Sequence, residues 1–212
     1  MTIYTTGQTR LYRQVVADLI LDEGYRRFAY ADPLSQLYKQ LRNKSQWGMK
    51  PARELFPPGT DWSKGEPWTV GIGYTKGVTV DSVMEQKQAE KITEGHVAEL
   101  DMALHRALSW YAGASFVTKT VLINMAYNMG LHGLLQFGNT LAFMSQGNWA
   151  KAAANMRQSL WAKQVGSRAR RLITRIETQT SVFVSFILNL ADISYNDTSI
   201  CPLLYGEMRD LV

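Results

Sequence analysis

A glutamate and an aspartate nine residues apart, Glu23 and Asp32, lie in the stretch LDEGYRRFAYAD over residues 21–32. Two carboxyl groups facing one another across a cleft suit cleavage of a glycosidic bond. One protonates the leaving oxygen, and the other serves the sugar cation or the attacking water. By spacing alone the pair cannot be told from solvated surface carboxylates, where most Asp and Glu are found. The flanking elements give it direction. Leu11, Val15, Leu19 and Ile20 recur at three- to four-residue steps and predict a helix running up to Glu23. Gly24 reads as the residue just past that helix, in the left-handed conformation that glycine adopts without strain. Phe28 and Tyr30 alternate with smaller residues, as at the start of a strand. One acid thus stands on a last helical turn and the other at the end of the next extended piece. The negative end of the helix dipole disfavours ionisation of Glu23, which suits a general acid.

Further on, Trp68-Thr69-Val70-Gly71-Ile72-Gly73-Tyr74 alternates large residues with glycine, the pattern of a strand approached closely by other groups. Together DEG-x7-D and WTVGIGY resemble the phage-type lysozymes (glycoside hydrolase family 24), most closely those of the T-even phages. INMAYNMG (123–130), NWAKAAANMRQSLW (148–161) and SRARRLITR (167–175) are similar to successive helices of the same family, in the same order. The resemblance covers about residues 10–178, apart from one insertion.

It implies an α+β lysozyme-like fold, with a small N-terminal lobe holding a short antiparallel sheet, a long connecting helix and a larger helical C-terminal lobe. Residues 1–180 would form one lysozyme domain: a lobe at about 10–82 with an inserted loop at 33–67, a helix at about 85–108, and a helical lobe at about 109–178. Residues 181–212 would be an extension. The implied activity is hydrolysis of the β-1,4 bond between N-acetylmuramic acid and N-acetylglucosamine in peptidoglycan. Glu23 would be the general acid, Asp32 the ionised partner, and Thr69 the hydroxyl that positions water. Thr75, Tyr127, Asn128, Thr140 and Asn155 occupy positions that line the family's sugar groove. Arg168 occupies the place of an arginine beside the acid, and Gly71 and Gly73 would let sugar approach the backbone. Tyr127 and Thr140 stand where the T-even type has phenylalanine and serine. Thr75 replaces an apolar groove residue, and Tyr74 the histidine after GIG. No cofactor and no metal are implied.

The insertion, residues 33–67, carries five of the six prolines and shows no regular period, so it reads as a surface loop accessory to binding. Its Trp47 and Trp62 suit pinning to the body better than sugar stacking. Lys76-Gly77 predicts a turn into a short strand at Val78–Val80, and residues 1–9 read as a polar, frayed end. Ala89, Ile92, Val97, Leu100 and Leu104 mark a helix long enough to join two lobes. His96 and His105 on it have no partner at metal-ligand spacing.

The formal net charge is +5, and the segment between Met102 and Ile176 holds nine Lys and Arg with no Asp or Glu. Such charge calls for an anionic partner without choosing among nucleic acid, membrane surface and cell wall. The resemblance selects peptidoglycan, and no nucleic acid. A single cysteine, Cys201, excludes an internal disulfide. The apolar stretch 182–191 is too short and too interrupted to span a bilayer, so no stable membrane insertion is expected. The N-terminus lacks the apolar core of a signal peptide. The expectation is a monomeric endolysin made in the host cytoplasm and passed by a holin to the wall for host lysis. Two alternatives stand beside it: a tail-associated lysozyme used in infection, and an inactive wall or polyanion binder. The intact Glu23, Asp32 and Thr69 set weighs against the last.

Overall fold

In the computed structural model of the chain, residues 5–179 are described. The extension at 181–212, with the apolar stretch 182–191 and Cys201, lies outside them. The described residues divide into two compact units, the first ending at Leu141 and the second beginning at Ala142.

In the first unit, helix α1 (Thr6–Glu23) starts inside the segment expected to fray. The Thr5 side chain accepts from the Gln8 backbone N–H, and the Gln8 side chain accepts from Thr5 N at 3.0 Å. This capping box satisfies N-terminal donors that apolar periodicity does not report. Leu11, Tyr12, Val15, Val16 and Leu19 form the buried face. Strand β1 (Arg26–Ala31) pairs antiparallel with β2 (Trp68–Gly71), setting Tyr30 opposite Thr69 and Ala31 opposite Trp68. The strand expected at 78–80 is absent. Instead residues 82–84 lie along β1, with Ala29 N–H donating to Ser82 O at 3.0 Å and Met84 N–H to Arg27 O at 2.9 Å.

Between β1 and β2 the segment 33–67 is not a surface loop. It holds the short helix α2 (Gln36–Gln40) and three 3-10 turns, at Lys44–Gln46, Ala52–Glu54 and Trp62–Gly65. Leu37, Trp47 and Ala52 join Ala29, Ala31 and Trp68 in one buried cluster. Trp47, only 2% exposed, stacks on Tyr38 with centroids 5.9 Å apart and meets Trp68 edge-on at 6.1 Å. Tryptophans in proline-rich sequence are therefore core here, because the chain turns often enough to fold back on the sheet.

Helix α3 (Gln86–Ala107) has 22 residues, about 33 Å at 1.5 Å per residue. It packs against α1 and α4 (Phe116–Leu135). Asp101 on α3 is buried and accepts from Tyr12 on α1 at 2.9 Å and from Tyr111 at 2.7 Å. Burial, then that hydrogen bond, raises the Tyr111 phenol far above its ordinary value. Gly130, with φ 77° and ψ 159°, breaks α4 into a long and a short piece.

Helix α5 (Gly138–Ser145) leads into the second unit, which continues with α6 (Trp149–Gln158), α7 (Leu160–Val165) and a final helix over 167–179. Asn148 and Ser159 cap α6 and α7 through their side-chain oxygens. Ala152, Ala153, Met156, Trp161, Leu172 and Ile176 are buried, and Arg157 pairs with Glu177.

Trp47→Ala should cost about 3–5 kcal/mol, the usual loss for a buried aromatic, read from urea unfolding. Replacing residues 33–67 by a short linker should leave the first unit unfolded, seen as loss of helical circular dichroism.

Candidate active site

Glu23 is the last residue of α1, and its side chain is exposed. Gly24 follows with φ 72° and ψ 165°, and its N–H donates to Ile20 O at 2.9 Å. This is not the left-handed helical geometry expected, but an extended region with positive φ that glycine almost alone adopts. It turns the chain sharply from α1 into β1.

The two faces of the sheet differ. Ala29, Ala31 and Trp68 point into the aromatic cluster. Strand alternation carries Thr69 and Asp32 to the opposite face, while Tyr30 is partly buried against the cluster. The register sets Tyr30 opposite Thr69, and the charge of Glu23 bears on the Tyr30 phenol. Burial first, then Glu23, pushes the Tyr30 phenol above its ordinary value, with Arg26 opposing. Glu23, Tyr30 and Thr69 thus share one corner of the first unit.

Asp32 is fastened by the segment that follows it. Its N–H donates to Gly65 O at 3.1 Å, its carbonyl accepts from Ser35 N at 2.9 Å, and its Oδ1 accepts from Leu34 N at 2.7 Å. The first turn after β1 therefore holds this carboxylate in one orientation, half-buried.

The glycine-rich stretch is a tight turn rather than a continuing strand. Val70 and Tyr74 exchange both backbone hydrogen bonds, at 2.9 and 3.0 Å, around Gly71 and Gly73 with φ 68° and 76°. Gly73 is exposed, and a Cβ there would come to 4.0 Å from Glu23 Cγ. Gly71 is different. It is buried, and a Cβ would meet Met84 Sδ at 2.6 Å and Ala89 Cβ at 3.1 Å. Its lack of a side chain leaves room for Met84, just before α3, and for Ala89 on α3.

Tyr127 on α4 donates to Ile72 O at 2.9 Å, which ties that turn to the helix. Asn128 beside it is exposed, as is Thr75 just past the turn. Thr140 is only 1% exposed, so its hydroxyl does not face open solvent as a groove residue would. Asn155 on α6 and Arg168, 6% exposed in the helix over 167–179, belong to the second unit. Among the described residues no three His, Cys, Asp or Glu side chains cluster to hold a metal ion.

Residues 58–179 match the phage lysozyme family. The chain belongs to that family. As in any member, a site must be judged residue by residue, and the matched span includes Thr69 through Arg168 but begins after Glu23 and Asp32. Among individual proteins, this phage lysozyme family member is 36% identical over 70 residues to Probable T4-type lysozyme 1 of Dictyostelium discoideum, covering 33% of this chain and 41% of that protein. It is 34% identical over 62 residues to Probable T4-type lysozyme 2 of the same organism, covering 29% and 36%. It is also 42% identical over 57 residues to the pre-baseplate central spike protein Gp5 of Enterobacteria phage T4, covering 27% and 10%. Each match thus spans less than half of the relative's own length.

Gly71→Ala and Gly73→Ala both place a side chain at positive φ, but only the first also collides with packed atoms. Chemical denaturation should show Gly71→Ala less stable than Gly73→Ala by about 1–3 kcal/mol, the ordinary cost of overpacking.

Proposed function

We propose that this protein is a muramidase that hydrolyses the β-1,4 bond between N-acetylmuramic acid and N-acetylglucosamine in bacterial peptidoglycan. The observation that supports the reading is the placement of Glu23 at the end of α1, with the Gly73 turn beside it, in the same unit as Thr69 on β2 and Asp32 just past the end of β1. Glu23 donates its proton to the leaving oxygen. Asp32, held by Leu34 N–H, stands beside the developing sugar cation. Thr69 orients the water. Asn128 and Thr75 contact sugar, and Tyr127 shapes the turn beneath it. No metal or organic group is needed for these steps.

The biological role we favour is that of an endolysin, reaching the wall with the help of a holin and acting there as a monomer during host lysis. Among the described residues no helix is long and apolar enough to cross a membrane. A second reading, wall degradation during infection, is favoured by the 42% identity over 57 residues to a pre-baseplate central spike protein. A phage deleted for the gene would separate the two: an endolysin mutant injects normally but fails to release progeny.

General acid catalysis contributes about 10²–10⁴-fold, so Glu23→Gln should lose lysis of purified peptidoglycan by that factor or more while keeping its fold. Activity within about tenfold of wild type would remove Glu23 from the role.

The reaction should also invert the anomeric configuration. A retaining enzyme brings its carboxyls to about 5–5.5 Å with no water between them, and would leave Thr69 without a task; an inverting one needs a positioned water. Proton NMR of the first product from a β-linked oligosaccharide should show the α-anomer. A β-anomer, or a covalent adduct on Asp32, would make Asp32 the nucleophile.

A further inference from the structure

The middle of α4 is apolar: Val121, Leu122, Ile123, Met125 and Ala126 are all buried. One polar side chain interrupts them. Asn124 is fully buried, and its Nδ2 donates to Asp22 Oδ2 on α1 at 3.0 Å. Its Oδ1 has no hydrogen-bond partner among the described residues. A buried oxygen without a partner costs free energy that an aliphatic side chain of similar size would not. Packing alone therefore gives no reason for an asparagine here, whereas the bond to Asp22 does. The last turn of α1 carries Asp22 and Glu23 and no basic residue, an arrangement that the negative end of a helix disfavours. Helix α4 packs against α1 and supplies a donor to that turn. Three residues on, and on the same face of α4, Tyr127 donates to Ile72 O at 2.9 Å. Ile72 precedes Gly73, where a Cβ would stand 4.0 Å from Glu23 Cγ. One helix face thus grips both the turn that carries Glu23 and the glycine turn beside it.

We propose that Asn124 is a positioning residue for the general acid: by holding Asp22 it sets where the Glu23 carboxyl stands relative to the Gly73 turn, which Tyr127 holds from the same helix. The inference rests on the reading of Glu23 given above. Asn124 is buried and does not touch substrate, so it acts only through the last turn of α1. Asp22 and Glu23 are neighbours in the chain, and a movement of that turn which frees one also swings the other. Glu23 is exposed, so its place depends heavily on the backbone that carries it. A general acid must come within about 2.6–3.2 Å of the oxygen it protonates, and a misplacement of about 1 Å can cost 10²-fold in rate.

Steady-state kinetics with two leaving groups test this. One substrate is a soluble peptidoglycan oligosaccharide, whose departing sugar oxygen needs a proton; the other is a 2,4-dinitrophenyl glycoside of the same glycan, whose departing phenolate does not. Asn124→Leu fills the site and removes the donor. On the oligosaccharide it should lower kcat about tenfold or more with KM nearly unchanged. On the aryl glycoside it should lower kcat by less than about twofold. Asp22→Ala should behave alike, and in its background Asn124→Leu should cost nothing further, because the bond is already gone. An Asn124→Leu variant as active as wild type, one equally impaired on both substrates, or a loss of equal size in both backgrounds would overturn the proposal. Should Asn124→Leu fail to fold, Asp22→Ala at a partly exposed position carries the test. A loss confined to the oligosaccharide then supports the proposal; no loss, or one shared by both substrates, overturns it. Glu23→Gln separates this inference from the reading beneath it. If its loss is as large on the aryl glycoside as on the oligosaccharide, Glu23 is not the acid and both fall. If the aryl group relieves Glu23→Gln but not Asn124→Leu, the inference alone falls.

Discussion

A two-stranded sheet is marginal in water and needs something packed on at least one face. In this protein that cover is aromatic and comes from the segment joining the two strands. Trp68 on β2 meets Trp47 at 6.1 Å and Trp62 at 6.3 Å, with Phe56 bridging the two at 5.6 and 6.2 Å. Ala29 and Ala31 on β1 are small, which lets these rings lie close to the backbone. Gly65 sits so near Trp68 that a Cβ would fall 2.6 Å from the indole. Because one face is consumed by this packing, the alternation of the strand leaves the other to Thr69 and Asp32. The chemistry of the site depends on that division.

The joining segment also fastens what it covers. Lys44 Nζ donates to the carbonyls of Tyr38, Lys39 and Leu41, closing the end of α2 with its charge. Helix C-termini favour a cation there. Arg53 forms a two-pronged pair with Asp81, at 2.5 and 2.7 Å, which holds that carboxyl below its usual range. Both partners are exposed, so this contact aligns the segment more than it stabilises the fold. Gly65 O and the turn at Leu34 and Ser35 then fix Asp32. An insertion that first reads as an accessory is therefore the scaffold of one candidate catalytic group.

Glu23 is held differently, at the end of a helix whose position is set by its own buried face and by the Asp101 carboxylate joining Tyr12 and Tyr111. Hydrogen bonds to a charged group are worth about 1.5–3 kcal/mol each, and these link α1, α3 and the Tyr111–Gly113 turn. On a third side Tyr127 holds the Gly71–Gly73 turn against α4. The two acids are thus positioned by separate pieces of the first unit, so a change in one need not displace the other.

Much of this could be read in the chain before any coordinates. The helix ending at Glu23 was written in the spacing of Leu11, Val15 and Leu19, and α3 in the spacing of Ala89, Val97 and Leu104, because burial of one helical face imposes a 3.6-residue period. The carboxylates, Thr69 and the family were visible as local motifs. Local pattern failed wherever the deciding partner was distant in sequence. No period marks residues 33–67, since short turns bury single aromatics rather than a repeating face; only the folded chain shows Trp47 against Trp68. Gly71 and Gly73 look alike in WTVGIGY, yet one is hemmed in by Met84 and Ala89 and the other is open beside Glu23. Thr140 looked like a groove hydroxyl and is buried. Residue type and spacing determined which groups could do chemistry; strand pairing and side-chain packing, which join residues far apart in the chain, decided which of them meet.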